Sequence, residues 1–204
     1  VVRFLRAFVV IRNGGFRDQV NNATTLSQYI RHLRKRHKSI WLAQREGRAK
    51  DGNDVTQPGV LKMLTIDAED FFESVKELNI CPVSISYEFD PCDYLKAREM
   101  QLKRDNPQWK KSRKDDLVSM KVGIDGHKGK VVYRMTPSIN HEIDIALSEH
   151  PELRELSRNE QIQFVCELID RHIHAAYEIY PRGTEFDEYI EKRLQLIHLS
   201  NKDT

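Results

Sequence analysis

The order in which two kinds of apolar pattern alternate along this chain constrains its fold more than any single residue does. Ala7-Phe8-Val9-Val10-Ile11 is a continuous β-rich run, long enough for a strand buried on both faces, and Asn13-Gly14-Gly15 ends it. Thr25-Leu26-Ser27-Gln28 has the form of a capping box opening a helix to about His37, with Leu26, Tyr29, Ile30 and Leu33 on one face. Ser39 to Ala43 reads as the next strand. Pro58 starts a short helical turn through Leu64. Asp67 is expected to cap a helix in which Phe71, Phe72, Val75 and Leu78 recur at helical spacing. Ile80 to Tyr87 makes a third strand. Strand, helix, strand, helix, strand in that order predicts an α/β fold: a largely parallel or mixed sheet covered by helices.

The second half reads differently. Asp90 to Asp116 is highly charged, with an exposed helix expected over Tyr94 to Arg104 and a loop over Asn106 to Lys114. Val118 to Ile124 and Lys130 to Met135 flank Asp125-Gly126-His127-Lys128-Gly129, which is turn chemistry for a hairpin. A short helix follows Pro137. Ser157-Arg158-Asn159-Glu160 is a capping box for a long helix that turns Ile162, Val165, Leu168, Ile169, Ile173, Ala176 and Tyr177 inward, and Pro181-Arg182-Gly183 stops it. A final helix near Thr184 buries Phe186, Tyr189, Ile190, Leu194 and Ile197. The expected organisation is one domain over residues 1–204, with an α/β core to 138 and C-terminal helices from 139.

At 204 residues, 39% hydrophobic and 31% charged, the chain suits a folded domain and not a disordered one. The balance of 33 basic against 31 acidic residues leaves a net charge of +2, so no global field draws it to nucleic acid. Cys81, Cys92 and Cys166 are an odd count without framework spacing, which suits a reducing cytoplasm. No apolar run approaches the roughly 20 residues that cross a bilayer. The chain opens inside a strand-like run without a Met, and is expected to lack its natural start.

Trp41-Leu42-Ala43-Gln44-Arg45-Glu46-Gly47-Arg48-Ala49-Lys50-Asp51-Gly52 carries the densest chemistry. Arg45, Arg48 and Lys50 stand beside Glu46, with Gly47 and Gly52 between and after them. Arginine meets phosphate through a planar fork of donors, and glycine lets backbone N–H groups approach an anion closely. A strand that delivers such a loop beyond its carboxyl end would build a phosphate site. For charge alone a solvated loop is the preferred reading, and the position directly after an apolar strand-like run shifts the balance toward the site.

Three ordered segments resemble the sequence blocks of the glycerolipid acyltransferases, nearest the branch that acylates glycerol phosphate. Val10-Ile11-Arg12 matches a strand ending in isoleucine, a variable residue and arginine. Arg45 to Gly52 resembles the family's Glu-Gly-Thr-Arg-type loop, although only Gly47 separates Glu46 from Arg48 where the family has two residues. Ile80-Cys81-Pro82-Val83-Ser84-Ile85 matches a strand entered through proline, followed by Tyr87-Glu88. The match runs from about Ala7 to Glu88, with a weaker echo at Met135-Thr136-Pro137-Ser138-Ile139.

The resemblance implies transfer of a fatty acyl group from acyl-CoA or acyl carrier protein to the hydroxyl of a glycerol phosphate or lysophospholipid acceptor, in phospholipid biosynthesis and without a cofactor. It implies substrate contacts from Arg12, Arg45, Glu46, Gly47, Arg48 and Lys50. It also implies a cytoplasmic protein with peripheral contact to the inner membrane surface and no nucleic-acid partner. The family's catalytic histidine and aspartate stand four residues apart, upstream of the second block. Here that spacing recurs only at His198 and Asp203, in a polar tail. The chain is therefore expected to hold part of a substrate site without the base, and to be inactive alone. A non-catalytic phosphate- or headgroup-binding module is the alternative.

Other features have plainer readings. In Arg31-His32-Leu33-Arg34-Lys35-Arg36-His37-Lys38, Leu33 faces inward and the cations form a solvated helix face. Cys166, Asp170 and His174 recur at a spacing that permits a metal site, but packing with surface polarity accounts for them more simply. Trp109, among lysines, suits either a membrane-interface anchor or a partly buried loop position.

Overall fold

The computed structural model describes residues 15–45 and 53–180. Their helices and strands are, in chain order, α1 (Phe16–Lys35), α2 (Pro58–Leu64), α3 (Phe71–Leu78), β1 (Val83–Tyr87), α4 (Asp93–Asp105), α5 (Arg113–Asp125), β2 (Val131–Met135), α6 (Asn140–Glu149) and α7 (Arg158–Ala175), with a 3-10 turn over Pro151–Arg154 before α7. The protein is a mixed α/β fold, mostly helical. Among the described residues its sheet has two strands, β1 and β2. They run antiparallel: the Thr136 N–H donates to the Pro82 carbonyl at one end (2.9 Å) and the Glu88 N–H to the Lys130 carbonyl at the other (2.9 Å). The expected parallel pairing is therefore absent from the described sheet. The run Ala7–Ile11 and the helix near Thr184 lie outside the described residues.

The described residues divide into two compact units. The first comprises 15–45, 54–83 and 135–175. Its core is large and apolar: Leu61, Phe71, Phe72, Val75, Ile139, Ile143, Ile162, Val165 and Leu168 are all almost fully buried. Phe72 sits edge-on to both Phe71 and Phe164. Ile30, Leu64 and Leu78 form a further cluster, against which Leu26, Ile40, Val60, Met63 and Ile80 pack.

Local chemistry explains most boundaries here. Pro58 stands at the first turn of α2, where its missing N–H costs nothing. Asp70 caps α3 by accepting the Glu73 N–H at 3.0 Å, and Asn79 ends that helix in the left-handed region at φ 52°. The expected cap, Asp67, lies one turn too early. Ser157 and Glu160 form the reciprocal box that starts α7. Helix α1 corrects another expectation. It starts at Phe16, where the Gly15 N–H donates to the Asp18 carboxylate at 3.1 Å. Thr25, expected as the cap, is mid-helix and donates its hydroxyl to the Asn21 carbonyl at 2.8 Å, the ordinary way a helical threonine satisfies itself.

Ser39 to Ala43 is not a strand. Ile40 anchors the segment in the cluster above, while Trp41 is 67% exposed and Leu42 also faces solvent. The run is apolar because one residue packs and its neighbours do not, and no ladder forms.

The second unit holds residue 53, 84–134 and 176–180. Its buried side chains are small or polar: Ser84, Ser86, Cys92, Glu99 and Ser119, with Phe89 the one large exception. Residues 118–124, expected as a strand, belong to α5. Ser112 and Asp115 close a capping box on it, with the Ser112 N–H on the Asp115 carboxylate at 3.0 Å and the Asp115 N–H on Ser112 Oγ at 3.2 Å. Ser119 and Gly123, one turn apart, turn inward. The Cys92 thiol donates to the Ser119 carbonyl at 3.4 Å, and a Cβ on Gly123 would lie 3.4 Å from that sulfur. The connection to β2 passes through Gly129 at φ 58°, a conformation that favours glycine.

Candidate functional site

Of the residues expected to bind substrate, Arg12, Glu46, Gly47, Arg48 and Lys50 lie outside the described residues, as does Gly52. The expected meeting of Arg12 with the Arg45–Gly52 segment lies outside them too. Arg45 is described, half-buried in a bend directly after Gln44. What the structure does define is how the two flanks of this segment are held.

The flanks meet. The Gln57 N–H donates to the Gln44 carbonyl at 2.9 Å, closing the base of the 44–57 segment backbone to backbone. The returning flank is then fastened to α7 at two points one helical turn apart. The Asp170 carboxylate accepts the Thr56 N–H at 2.8 Å and the Thr56 hydroxyl at 2.5 Å through the same oxygen, Oδ1. Thr56 itself is almost fully buried, so this charge-assisted pair is shielded from competing water. At His174, Nε2 meets the Asp54 carbonyl at 3.0 Å. A carbonyl only accepts, which puts the ring proton on Nε2.

The α7 face carrying these anchors also lines an open groove of about 490 Å³, bounded by Phe164, Glu167, Asp170, Arg171 and His174. Two carboxylates beside one guanidinium make it a poor receptor for an anion.

Cys166, Asp170 and His174 are thus explained without a metal. Cys166 is buried, and burial, with Asp170 and Glu167 nearby, pushes its thiol up to about 11. A thiol held protonated is a poor ligand. No group of His, Cys, Asp and Glu suited to a metal ion occurs among the described residues. Asp170 and His174 serve as anchors instead.

The basic run is less solvated than its composition suggests. Arg31 turns inward, donating to Glu77 (2.7 Å), to the Leu64 carbonyl (3.1 Å) and to Ser74. It ties α1 to α2 and α3. Trp109 is half-buried in the loop before α5. His141 is exposed on α6, and its neighbour Glu142 pairs with His172 at 2.5 Å.

Nothing in the sequence marks Thr56 as an anchor. Its partner lies 114 positions away, and an isolated threonine after a polar loop has no signature. Asp170 was visible only as one member of a suspected metal spacing.

No helix among the described residues is long and apolar enough to cross a membrane. No family model, curated protein or solved structure matches the chain.

Proposed function

We propose that the 44–57 segment is the acceptor-phosphate loop of a glycerolipid-type acyltransferase. The reaction moves a fatty acyl group from the thioester of acyl-CoA or acyl carrier protein to the hydroxyl of a phosphate-bearing glycerol. The observation that carries the reading is the closed, doubly anchored base of the segment. A loop that must place Arg45, Arg48 and Lys50 around a small anion gains from fixed ends, because ordering them in advance lowers the entropy lost on binding. In this reading Arg12 joins the clamp, and Gly47 and Gly52 let backbone N–H groups reach the phosphate. In the family the reading invokes, the general base is a histidine followed, after four residues, by an aspartate, a spacing that these 204 residues show only at His198 and Asp203. The acceptor's lipid product sets the work at the cytoplasmic surface of a membrane, with the protein attached peripherally.

A non-catalytic phosphate- or headgroup-binding module would use the same cations. It is favoured by His174: the histidine fixed on the loop's flank is engaged with a backbone carbonyl, not poised toward a substrate hydroxyl.

The test is a thermal-shift titration with glycerol-3-phosphate at two salt concentrations. Binding to the folded state raises the midpoint, and added salt weakens the effect. Arg48→Ala is expected to weaken binding by about 1–3 kcal/mol, the cost of one charge-assisted hydrogen bond, while Lys110→Ala leaves it unchanged. Equal losses would reduce the cations to diffuse charge and remove the phosphate site. Thioester cleavage by the chain alone should be absent and indifferent to His198→Ala. Turnover lost in that variant would put the base inside the chain.

A further inference from the structure

Helix α5 is built inside out. Its inward face is small or polar, with Ser119 buried and Gly123 half-buried against Cys92. Its large apolar side chains point the other way: Leu117 is 60% exposed, Met120 56% and Ile124 74%. These three recur at i, i+3 and i+7, so they form one continuous ridge along the helix. Val118 is exposed beside them. Isolated exposed leucines are ordinary, but a ridge of this kind on a helix whose other face is already packed calls for a partner.

The charges beside the ridge say which partner. Lys110, Arg113, Lys114 and Lys121 are all exposed, and none makes an ion pair among the described residues. At 100° per residue, Arg113 lies along the ridge itself, between Leu117 and Met120, and Lys114 and Lys121 border it on one side. The nearby acids are mostly engaged: Asp115 in the helix cap, and Asp116 with Lys111 at 2.9 Å. Asp125 stands at the far, C-terminal end. Trp109, half-buried, lies just before the first of these cations. Apolar side chains flanked by uncommitted cations complement a layer of anionic headgroups over hydrocarbon. Aliphatic side chains enter the acyl boundary, and the long lysine and arginine stems let their charges stay at headgroup level.

We infer that α5 is the membrane-docking element of this protein, lying in the plane of a bilayer that contains anionic phospholipid, with Leu117, Met120 and Ile124 inserted. The inference rests on the peripheral-membrane part of the reading above and is independent of the phosphate loop. The chain's net charge of only +2 means that attraction must come from this local cluster and not from a global field.

The experiment is co-sedimentation of the 204-residue chain with vesicles of phosphatidylcholine alone, and with vesicles containing a third phosphatidylglycerol. Binding is expected to the second and not the first, and to fall with added salt. Lys114→Gln with Lys121→Gln should lower the partition coefficient by about 25-fold, since each cation near such a surface contributes about fivefold. Leu117→Ser with Ile124→Ser should lower it at least as far, without changing the circular dichroism spectrum or the melting midpoint. Arg48→Ala should leave vesicle binding intact, which separates failure here from failure of the phosphate site. Vesicle binding indifferent to both pairs of substitutions would overturn the inference. So would a dimer in solution that Leu117→Ser with Ile124→Ser disperses, because the ridge would then face a second copy of the chain.

Discussion

The two units differ in what fills their interiors. The first hides phenylalanine, leucine, isoleucine and valine, with Ser27, Thr56, Thr65, Ser74 and Gln161 buried among them, and keeps its ion pairs at the surface, such as Lys76 with Asp144 (2.7 Å) and Arg154 with Asp70 (2.6 Å). Among the described residues, the second hides Phe89 and Pro91 beside serines, a cysteine and Glu99, and leaves Leu117, Ile124 and Tyr133 in solvent. The described part of the first unit buries the more apolar side chains, the term that drives folding. In the second, the acid nearest the interior, Glu99, is matched by Lys103 at 3.1 Å and Lys111 at 3.7 Å.

The contrast can be broken most directly by truncation. Phe72→Ala removes a fully buried ring from the first unit and is expected to cost about 3–5 kcal/mol, whereas Ile124→Ala in the second should stay within about 0.5 kcal/mol. Chemical denaturation of both variants measures the difference. Similar losses would mean that Ile124 is covered in solution.

A smaller effect tests whether the loop anchor belongs to the first unit's stability. Thr56→Val deletes the hydroxyl that donates to Asp170 and should cost roughly 1–2 kcal/mol, since a half-buried carboxylate loses one of its donors. A change confined to glycerol-3-phosphate binding, with no shift in midpoint, would make the anchor functional only.

The smallest effect sits at the surface. Asp70 caps α3, and the Glu73 N–H it accepts, followed by the Arg154 charge, holds its carboxyl below the usual range. A folded-state value below the unfolded one gives stability that is complete above the unfolded value, near 3.8, and lost as pH falls through the folded value. Asp70→Ala should cost about 1 kcal/mol at neutral pH and lessen the loss of stability below about pH 4. An unchanged acid limb, followed by thermal melts from pH 2 to 6, would show that the cap acts without its charge.

How much could be read in advance follows the same division. In the first unit, Pro58, the Ser157–Glu160 box and the Phe71–Leu78 spacing placed three helices, because apolar period and interior agree there. Asp67 and Asp70 are equivalent by composition, and only the hydrogen bond to the Glu73 N–H distinguishes them. In the second unit, Val118, Met120, Val122 and Ile124 alternate and so suggest a strand, yet Ser112 and Asp115 cap a helix across them. Period two misleads when the apolar residues face outward, since no interior selects the register. The loop's cations were visible as composition. Its supports, Thr56 and Asp170, were not, because their contact joins positions 114 apart.

The hydrogen bond between Gln57 and Gln44 has a consequence for how this protein can vary. With the base stapled and seated on α7, the number of residues spanned becomes a nearly independent variable. Closing a loop costs only about 0.6 kcal/mol more for each doubling of its length. A residue inserted or removed within the span is therefore expected to leave the anchored flanks in place. The segment is thus framed as an interchangeable cassette, in which evolution or an engineer can trade one sequence for another while the flanks that carry it stand still.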